Sequence, residues 1–325
     1  MSRFPFPIPN GWFAVAESSQ VSREQVVPVH YLDRDLVVFR TSSGKANVLD
    51  AYCAHMGAHL GIGPGSPGDR EPGPGTVIGE CVRCPFHGWL YNGTGACVEI
   101  PYTTSRIPGK ARVQAWEVRE QNGLIFVWHH LEGQPPAWEI PALEEFDSPD
   151  WDGPIVTERT ISTCLQEMQE NDHDFVHFKY VHGTDDIRTA TITYDETRRI
   201  KTTTEYLEAG RDFAKGATVI STETGFSREA HQLGFVVLRV PNLLSFVAAS
   251  TPIDQETVHQ RWVFAFPNSI GKEAGKKLLD AFTYQGIYED IPIWENKRYV
   301  DSPVFVKGDG PIAEFRKWAS QFYSL

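Results

Sequence analysis

A chain of 325 residues is long enough for two ordinary domains, each burying its own core. Its 42 acidic against 30 basic side chains leave a net charge of −12, which repels nucleic acid and anionic lipid, while 41% hydrophobic and 22% charged residues exclude a disordered or collagenous chain. No apolar run reaches the roughly 18 residues of a membrane span, and the first ten residues lack the apolar stretch of a secretory leader, so no membrane span and a cytoplasmic location are expected.

Residues 11–130 alternate short β-rich runs with turns, at 12–15, 26–31, 36–40, 46–49, 112–118 and 124–128. That pattern predicts a small antiparallel β domain. The Pro/Gly segment 63–75 (GPGSPGDREPGPG) within it can hold neither a helix nor a central strand. Pro135, Pro136, Pro141 and Pro149 break periodic structure over 131–152, so two domains are expected, 1–140 and 141–325. In the second, a stretch with helical potential at 162–179 precedes strand-like runs at 191–207, 218–224, 233–240, 243–249 and 259–266. A long helix is expected to start over 272–282 and end around Pro292, and another to close the chain at 312–323. The fold class is α+β with layer packing.

Five cysteines (Cys53, Cys81, Cys84, Cys97 and Cys164) are an odd number, which disfavours a disulfide framework and favours buried thiols or metal ligands. Cys53-Ala54-His55 is followed, after the 28 residues from Met56 to Arg83, by Cys84-Pro85-Phe86-His87-Gly88-Trp89. Two thiolates on one iron and two imidazoles on the other hold a 2Fe-2S cluster at higher potential than four thiolates would. The competing site is structural zinc, with Cys81 and Cys84 as a C-x-x-C joined by Cys53 and a histidine.

Asn171 to His182 concentrates His173, His177 and His182 with Asp172 and Asp174. Two histidines and one carboxylate on one face of Fe(II) leave positions open for O2 and substrate. On an ideal helix His173 and His177 lie about 40° apart and His177 and His182 about 140° apart, so helix geometry alone favours the first pair. Asp174, three residues before His177, is placed to bond that ring's second nitrogen. Glu289, Asp290 and Glu295 are the candidates for a distant carboxylate ligand. A helix kinked at Pro292 would aim Asp290 inward.

The segments Tyr52-Cys53-Ala54-His55-Met56-Gly57-Ala58-His59-Leu60 and Cys84-Pro85-Phe86-His87-Gly88-Trp89 resemble the Rieske motif of ring-hydroxylating and steroid oxygenases. Asn171, Asp174, His177 and His182 match the family's N-x-x-D-x-x-H-x4-H motif. The resemblance implies a Rieske domain followed by a helix-grip catalytic domain, with Cys53, His55, Cys84 and His87 on the cluster and His177, His182 and Asp290 on a mononuclear Fe(II). It leaves His173 as an alternative close to the iron. It also gives Asp174, with Asn171 beside it, the role of carrying an electron from a neighbouring subunit's cluster within a homotrimer. The expected partners are O2, a hydrophobic small-molecule substrate, and an NADH-dependent flavin/iron-sulfur reductase or ferredoxin. The N-terminal segment 3–12, Ile293 to Lys297 and the last turns from Gly308 to Tyr323 resemble steroid-acting members, the 3-ketosteroid 9α-hydroxylase and cholesterol 7-desaturase group, which implies hydroxylation or desaturation of a steroid or sterol. An aromatic-ring hydroxylating or demethylating oxygenase is the alternative.

Overall fold

The computed structural model describes residues 2–65, 71–183, 190–197, 199–205 and 226–324. The strand expected at 218–224 lies outside them, as do residues 66–70 of the Pro/Gly segment and 198, 206 and 207 of the expected strand 191–207. The chain forms two compact units. The smaller comprises Trp12–His129 and Pro135–Glu139, the larger Met1–Gly11, His130–Gln134 and Ile140–Leu325. The expected division at residue 140 thus differs at the N-terminus, whose first residues belong to the larger unit. There the Asn10 N–H donates to the Phe322 carbonyl at 2.7 Å, and the Arg3 guanidinium to the Ser162 carbonyl at 2.8 Å.

In the smaller unit Val26–Tyr31, Arg34–Arg40 and Ala46–Asp50 form an antiparallel meander. The first two strands join through Leu32 and Asp33, both with φ near +60°, the left-handed pair that a two-residue hairpin needs. Leu36, Val37, Val38 and Phe39 are all buried, so this central strand is covered on both faces. A four-stranded sheet orders Cys97–Glu99, Leu90–Asn92, Cys81–Arg83 and Thr76–Ile78. Phe39, Leu49, Leu60, Val82 and Tyr91 make one core that also encloses Cys53 and Cys84. The expected strand 112–118 is reduced to single bridges at Arg112 and Ala115, with regular pairing beginning at Val118.

The larger unit is built on a seven-stranded antiparallel sheet among the described residues. Its order is Trp151–Ile161, Val258–Pro267, Leu244–Pro252, Phe235–Val240, Phe226–Gln232, Lys201–Glu205 and Ala190–Tyr194. The first strand falls partly where a boundary was expected. It tolerates Pro154 because it is an edge strand with one unpaired side. The expected strand 191–207 is a hairpin instead. The Asp195 side chain accepts from the Ile200 N–H at 2.9 Å and the Thr197 hydroxyl at 2.6 Å, which folds the chain back. On one sheet face Phe246, Trp262 and Phe264 pack with Leu279 and Trp294 of the helices, the antiparallel sheet plus helix of a helix grip. No described helix is long and apolar enough to cross a membrane.

The expected helix 272–292 is two helices, Lys272–Gly286 and Ile291–Asn296. Pro292 does not kink a helix interior. It lies in the first turn of the second helix, where its missing N–H has no intrahelical carbonyl to bond. The expected helix 162–179 is likewise broken, into Leu165–Glu170, a 3-10 turn Asn171–His173 and the short helix His177–Tyr180.

Candidate metal centres

The two loops carrying Cys53 and Cys84 repeat one backbone frame. The Cys53 N–H donates to the Ala58 carbonyl and the Cys84 N–H to the Trp89 carbonyl, at 2.9 and 2.8 Å. The Gly57 N–H closes back on the Cys53 carbonyl and the Gly88 N–H on that of Cys84. Both glycines have φ near +75°, which is why the residue four after each cysteine is glycine. The His55 and His87 rings meet edge to face with centroids 4.8 Å apart, and His55 stacks on Trp89 at 4.6 Å. Both thiols are buried, and burial pushes the Cys84 thiol up against backbone N–H groups of Phe86 and His87 that favour its thiolate. The buried His87 Nδ1 has no hydrogen-bond partner. Such an orphan is costly unless something binds it, and two core thiols beside two adjoining imidazoles fit a cluster with two sulfur and two nitrogen ligands. Cys81, the extra cysteine of the zinc arrangement, is half-buried on its strand. Among the described residues no close group of three metal-ligating side chains includes it.

Tyr91 adds a contact that sequence reading missed, with its hydroxyl 3.1 Å from Cys53 Sγ. A hydrogen bond to a cluster thiolate stabilises the reduced, more negative state. Tyr91→Phe is therefore expected to lower the cluster potential by roughly 40–90 mV, the equivalent of about 1–2 kcal/mol for one electron. Redox titration followed by visible circular dichroism measures this, and an unchanged potential would remove Tyr91 from the argument.

In the larger unit His177, His182 and Asp290 converge, each offering a ligand atom within 4.8 Å of the others. The broken helix makes this possible. Asp174 has ψ +81°, outside the helical range, so the chain turns and the 140° separation of an ideal helix does not apply. His177 Nδ1 bonds the Asp174 backbone carbonyl, and His182 Nδ1 the Glu289 carboxylate at 2.8 Å. That leaves the second nitrogen of His182 without a hydrogen-bond partner, while that of His177 is met by Asn171. His177 Nε2 lies 3.8 Å from Asp290 Oδ1, and His182 Nε2 3.4 Å from Asp290 Oδ2 in an orientation that makes no hydrogen bond. Asp290 precedes Ile291–Asn296 but spends no side-chain oxygen on capping it, so the buried carboxylate is free for the histidines. Burial lowers the His177 pKa. At His182 burial acts the same way, but the Asp290 and Glu289 carboxylates outweigh it and raise the pKa. Two imidazole nitrogens facing a buried carboxylate suit a divalent iron.

The structure brings together His177, His182 and Asp290 and sets the remaining candidates around them. Asn171 Nδ2 is 3.1 Å from His177 Nε2. The Asp174 carboxylate accepts from the His177 backbone N–H at 3.3 Å, so its expected bond to the ring is made by its carbonyl instead. Glu289, a sequence candidate for the third ligand, orients His182. Glu295 lies 3.5 Å from the Ser162 N–H.

His173 is not among these three converging side chains and is fully buried, its Nε2 2.8 Å from Lys201 Nζ. Burial, reinforced by the Lys201 charge, pushes its pKa down to about 3, and burial brings Lys201 down to about 7. Since His173 is depressed below its unfolded value of about 6.5, the unfolded chain binds the extra proton between pH 6.5 and 3, and stability falls with pH across that window. His173→Gln is expected to flatten the acid limb of stability against pH by about one proton, ~1.4 kcal/mol per pH unit. Denaturant titrations at several pH values check it.

A cavity with about 860 Å3 of empty space, its open mouth included, adjoins His177 and Asp290. Most of its wall is apolar, with Met168, Phe178, Leu238, Phe246, Trp262 and Trp294 prominent.

These two centres and their order along the chain are the arrangement of a Rieske oxygenase, and comparisons with known proteins agree. Residues 11–117 match the Rieske [2Fe-2S] domain and residues 127–323 the 3-Ketosteroid 9alpha-hydroxylase C-terminal domain. Cholesterol 7-desaturase of Caenorhabditis elegans is 32% identical, over 98% of this chain and 78% of its own length. The oxygenase component of 3-ketosteroid-9-alpha-monooxygenase from Mycolicibacterium smegmatis is also 32% identical, over 96% and 82%. Dicamba monooxygenase bound to dicamba superposes with a TM-score of 0.75 at 16% identity over 96% of each chain. NdmA of Pseudomonas putida CBB5 with caffeine gives 0.75 at 22% over 95% and 89%, so these two share the fold. The chain belongs to the Rieske non-haem iron oxygenases that carry a 3-ketosteroid 9α-hydroxylase C-terminal domain.

Proposed function

We propose that this protein is the oxygenase component of a system that hydroxylates or desaturates a steroid or sterol, and that it receives electrons from a separate NADH-dependent flavin and iron–sulfur reductase. The observation that carries the reading is the convergence of His177, His182 and Asp290 beside a largely apolar cavity. Cys53, His55, Cys84 and His87 would hold the 2Fe-2S cluster, and His177, His182 and Asp290 the mononuclear iron. When bound, these groups supply electrons and O2 activation.

The chain's own residues prepare that chemistry. The Asp174 carbonyl and the Glu289 carboxylate accept from Nδ1 of His177 and of His182, which orients each ring and would leave its Nε2 to bind the iron. Asn171 braces His177 from the ligand side. Phe178, Trp262 and Trp294 present apolar surface that keeps water from the substrate. Asp174, beside His177, is the residue of this segment assigned to electron transfer from a neighbouring copy in a trimer. Exposed Tyr52, Met56 and Phe86 around the cluster loops support docking of that unit on another protein surface.

Oxygen uptake and product analysis with a surrogate reductase, across steroids, sterols and substituted aromatics, tests the reading. Coupled uptake with a singly hydroxylated or desaturated steroid is expected. Turnover of aromatic or N- and O-methylated compounds alone would move the assignment to the ring-hydroxylating or demethylating oxygenases.

A further inference from the structure

The sheet face that lines the cavity is graded along the strands. Side chains two residues apart on a strand share a face and lie about 7 Å apart. One cross-strand row is Leu238 and Phe246, and the next is Val236, Ala248 and Trp262. The third row is polar, with Ser250 directly opposite Gln260. Both line the cavity, and both are more than nine-tenths buried. An apolar side chain at either place would continue the surface of the two rows before it.

The bonds of this pair leave capacity unspent. The Ser250 hydroxyl donates its one proton to Gln260 Oε1, which leaves the lone pairs of Ser250 Oγ able to accept. Gln260 Nε2 donates one N–H to the Arg261 carbonyl at 3.1 Å, which fixes the amide's orientation and leaves its second N–H. Gln169, also on the cavity wall, is engaged with the backbone, accepting from the Gly234 N–H at 3.1 Å and donating to the Gln232 carbonyl at 3.4 Å. Arg228, on the strand flanking the Leu238 row, is held by Asp172 at 2.8 Å. The cavity therefore has an ion-paired flank and a neutral donor–acceptor end two rows' distance along the sheet.

Resting on the steroid or sterol reading above, we propose that Ser250 and Gln260 are specificity-determining residues that hold a single hydroxyl or ketone oxygen at one end of an otherwise apolar substrate. A hydroxyl donates to Ser250 Oγ and accepts from Gln260 Nε2. A ketone only accepts, and so uses Gln260 alone. A substrate hydrocarbon without oxygen leaves the second Gln260 N–H and the Ser250 lone pairs dry and unused, which is costly.

Equilibrium binding to the anaerobic holoenzyme, read by quenching of Trp262 and Trp294, compares a 3-hydroxysteroid, the matching 3-ketosteroid and the parent hydrocarbon. Gln260→Met is expected to weaken both oxygenated ligands about tenfold and leave the hydrocarbon unchanged or tighter. Ser250→Ala is expected to weaken the hydroxysteroid several-fold and spare the ketosteroid, and it serves alone if Gln260→Met does not fold. Equal weakening of all three ligands, or none, overturns the proposal while the steroid reading stands. A wild-type protein that binds none of the three overturns that reading, and this proposal with it, before any variant is compared.

Discussion

Asp290→Ala is expected to lower iron from about three per chain to about two and to abolish coupled turnover, while the visible spectrum of the cluster persists. Loss of a residue that merely orients a metal ligand typically costs ten- to a hundredfold in affinity or activity, so loss of the ligand itself should cost more than about a hundredfold. Asp290 is buried, and both histidine Nε2 atoms face its two oxygens, so no exposed carboxylate can take its place without moving a helix. Glu289→Gln separates orientation from ligation. It keeps a hydrogen-bonding side chain at His182 but removes the charge, and is expected to fall within the ten- to hundredfold range. His182→Ala is expected to empty the site, whereas His173→Gln keeps its iron, since His173 bonds Lys201. Iron analysis on the four purified variants decides, and retention of three irons by His182→Ala would return His173 to the ligand set.

Cys84→Ser is expected to remove the visible absorption of the cluster and to end turnover, with about one iron per chain remaining in the larger unit. The thiol sits in the core of the smaller unit with backbone N–H groups of Phe86 and His87 directed at it, so a hydroxyl there loses ligand strength without gaining solvent. Stability of the smaller unit should fall as well, because cluster binding and folding share one free energy. Cys81→Ser is the control. It tests the zinc arrangement, in which the colour would be absent from the start and Cys81 would be required.

The two cysteine–histidine loops were legible from spacing because each is short and its geometry is local. Cysteine, histidine and the positive-φ glycine lie within five residues of one another. The mononuclear centre was only partly legible. An ideal helix wheel puts His177 and His182 on different sides, and only the break at Asp174 reconciles them. Asp290 was selected with a mistaken device, since Pro292 starts a helix rather than bending one. Asp290 nevertheless lies beside His177 and His182, because it directly precedes the second helix and makes no cap bond to it. Glu289 and Lys201 had no local signal. Their partners stand 107 and 28 residues away, and nothing in the sequence near either residue records those pairings. The same holds for the edge strand Trp151–Ile161, which was not expected as a strand and is defined by its pairing with Val258–Pro267.

The Pro/Gly segment between the two cluster loops ends in a narrow neck. Ile62 pairs with Pro74 and Gly63 with Gly73, and the Gly75 N–H donates to the Gly61 carbonyl at 2.9 Å. Because this neck holds the chain before and after it in fixed register, the number of residues beyond it is mechanically decoupled from the ligand loops. Doubling the length of such a loop costs only about 0.6 kcal/mol of closure entropy. A reporter or an affinity handle inserted beyond this neck is thus expected to leave the spacing of the two cysteine loops unchanged.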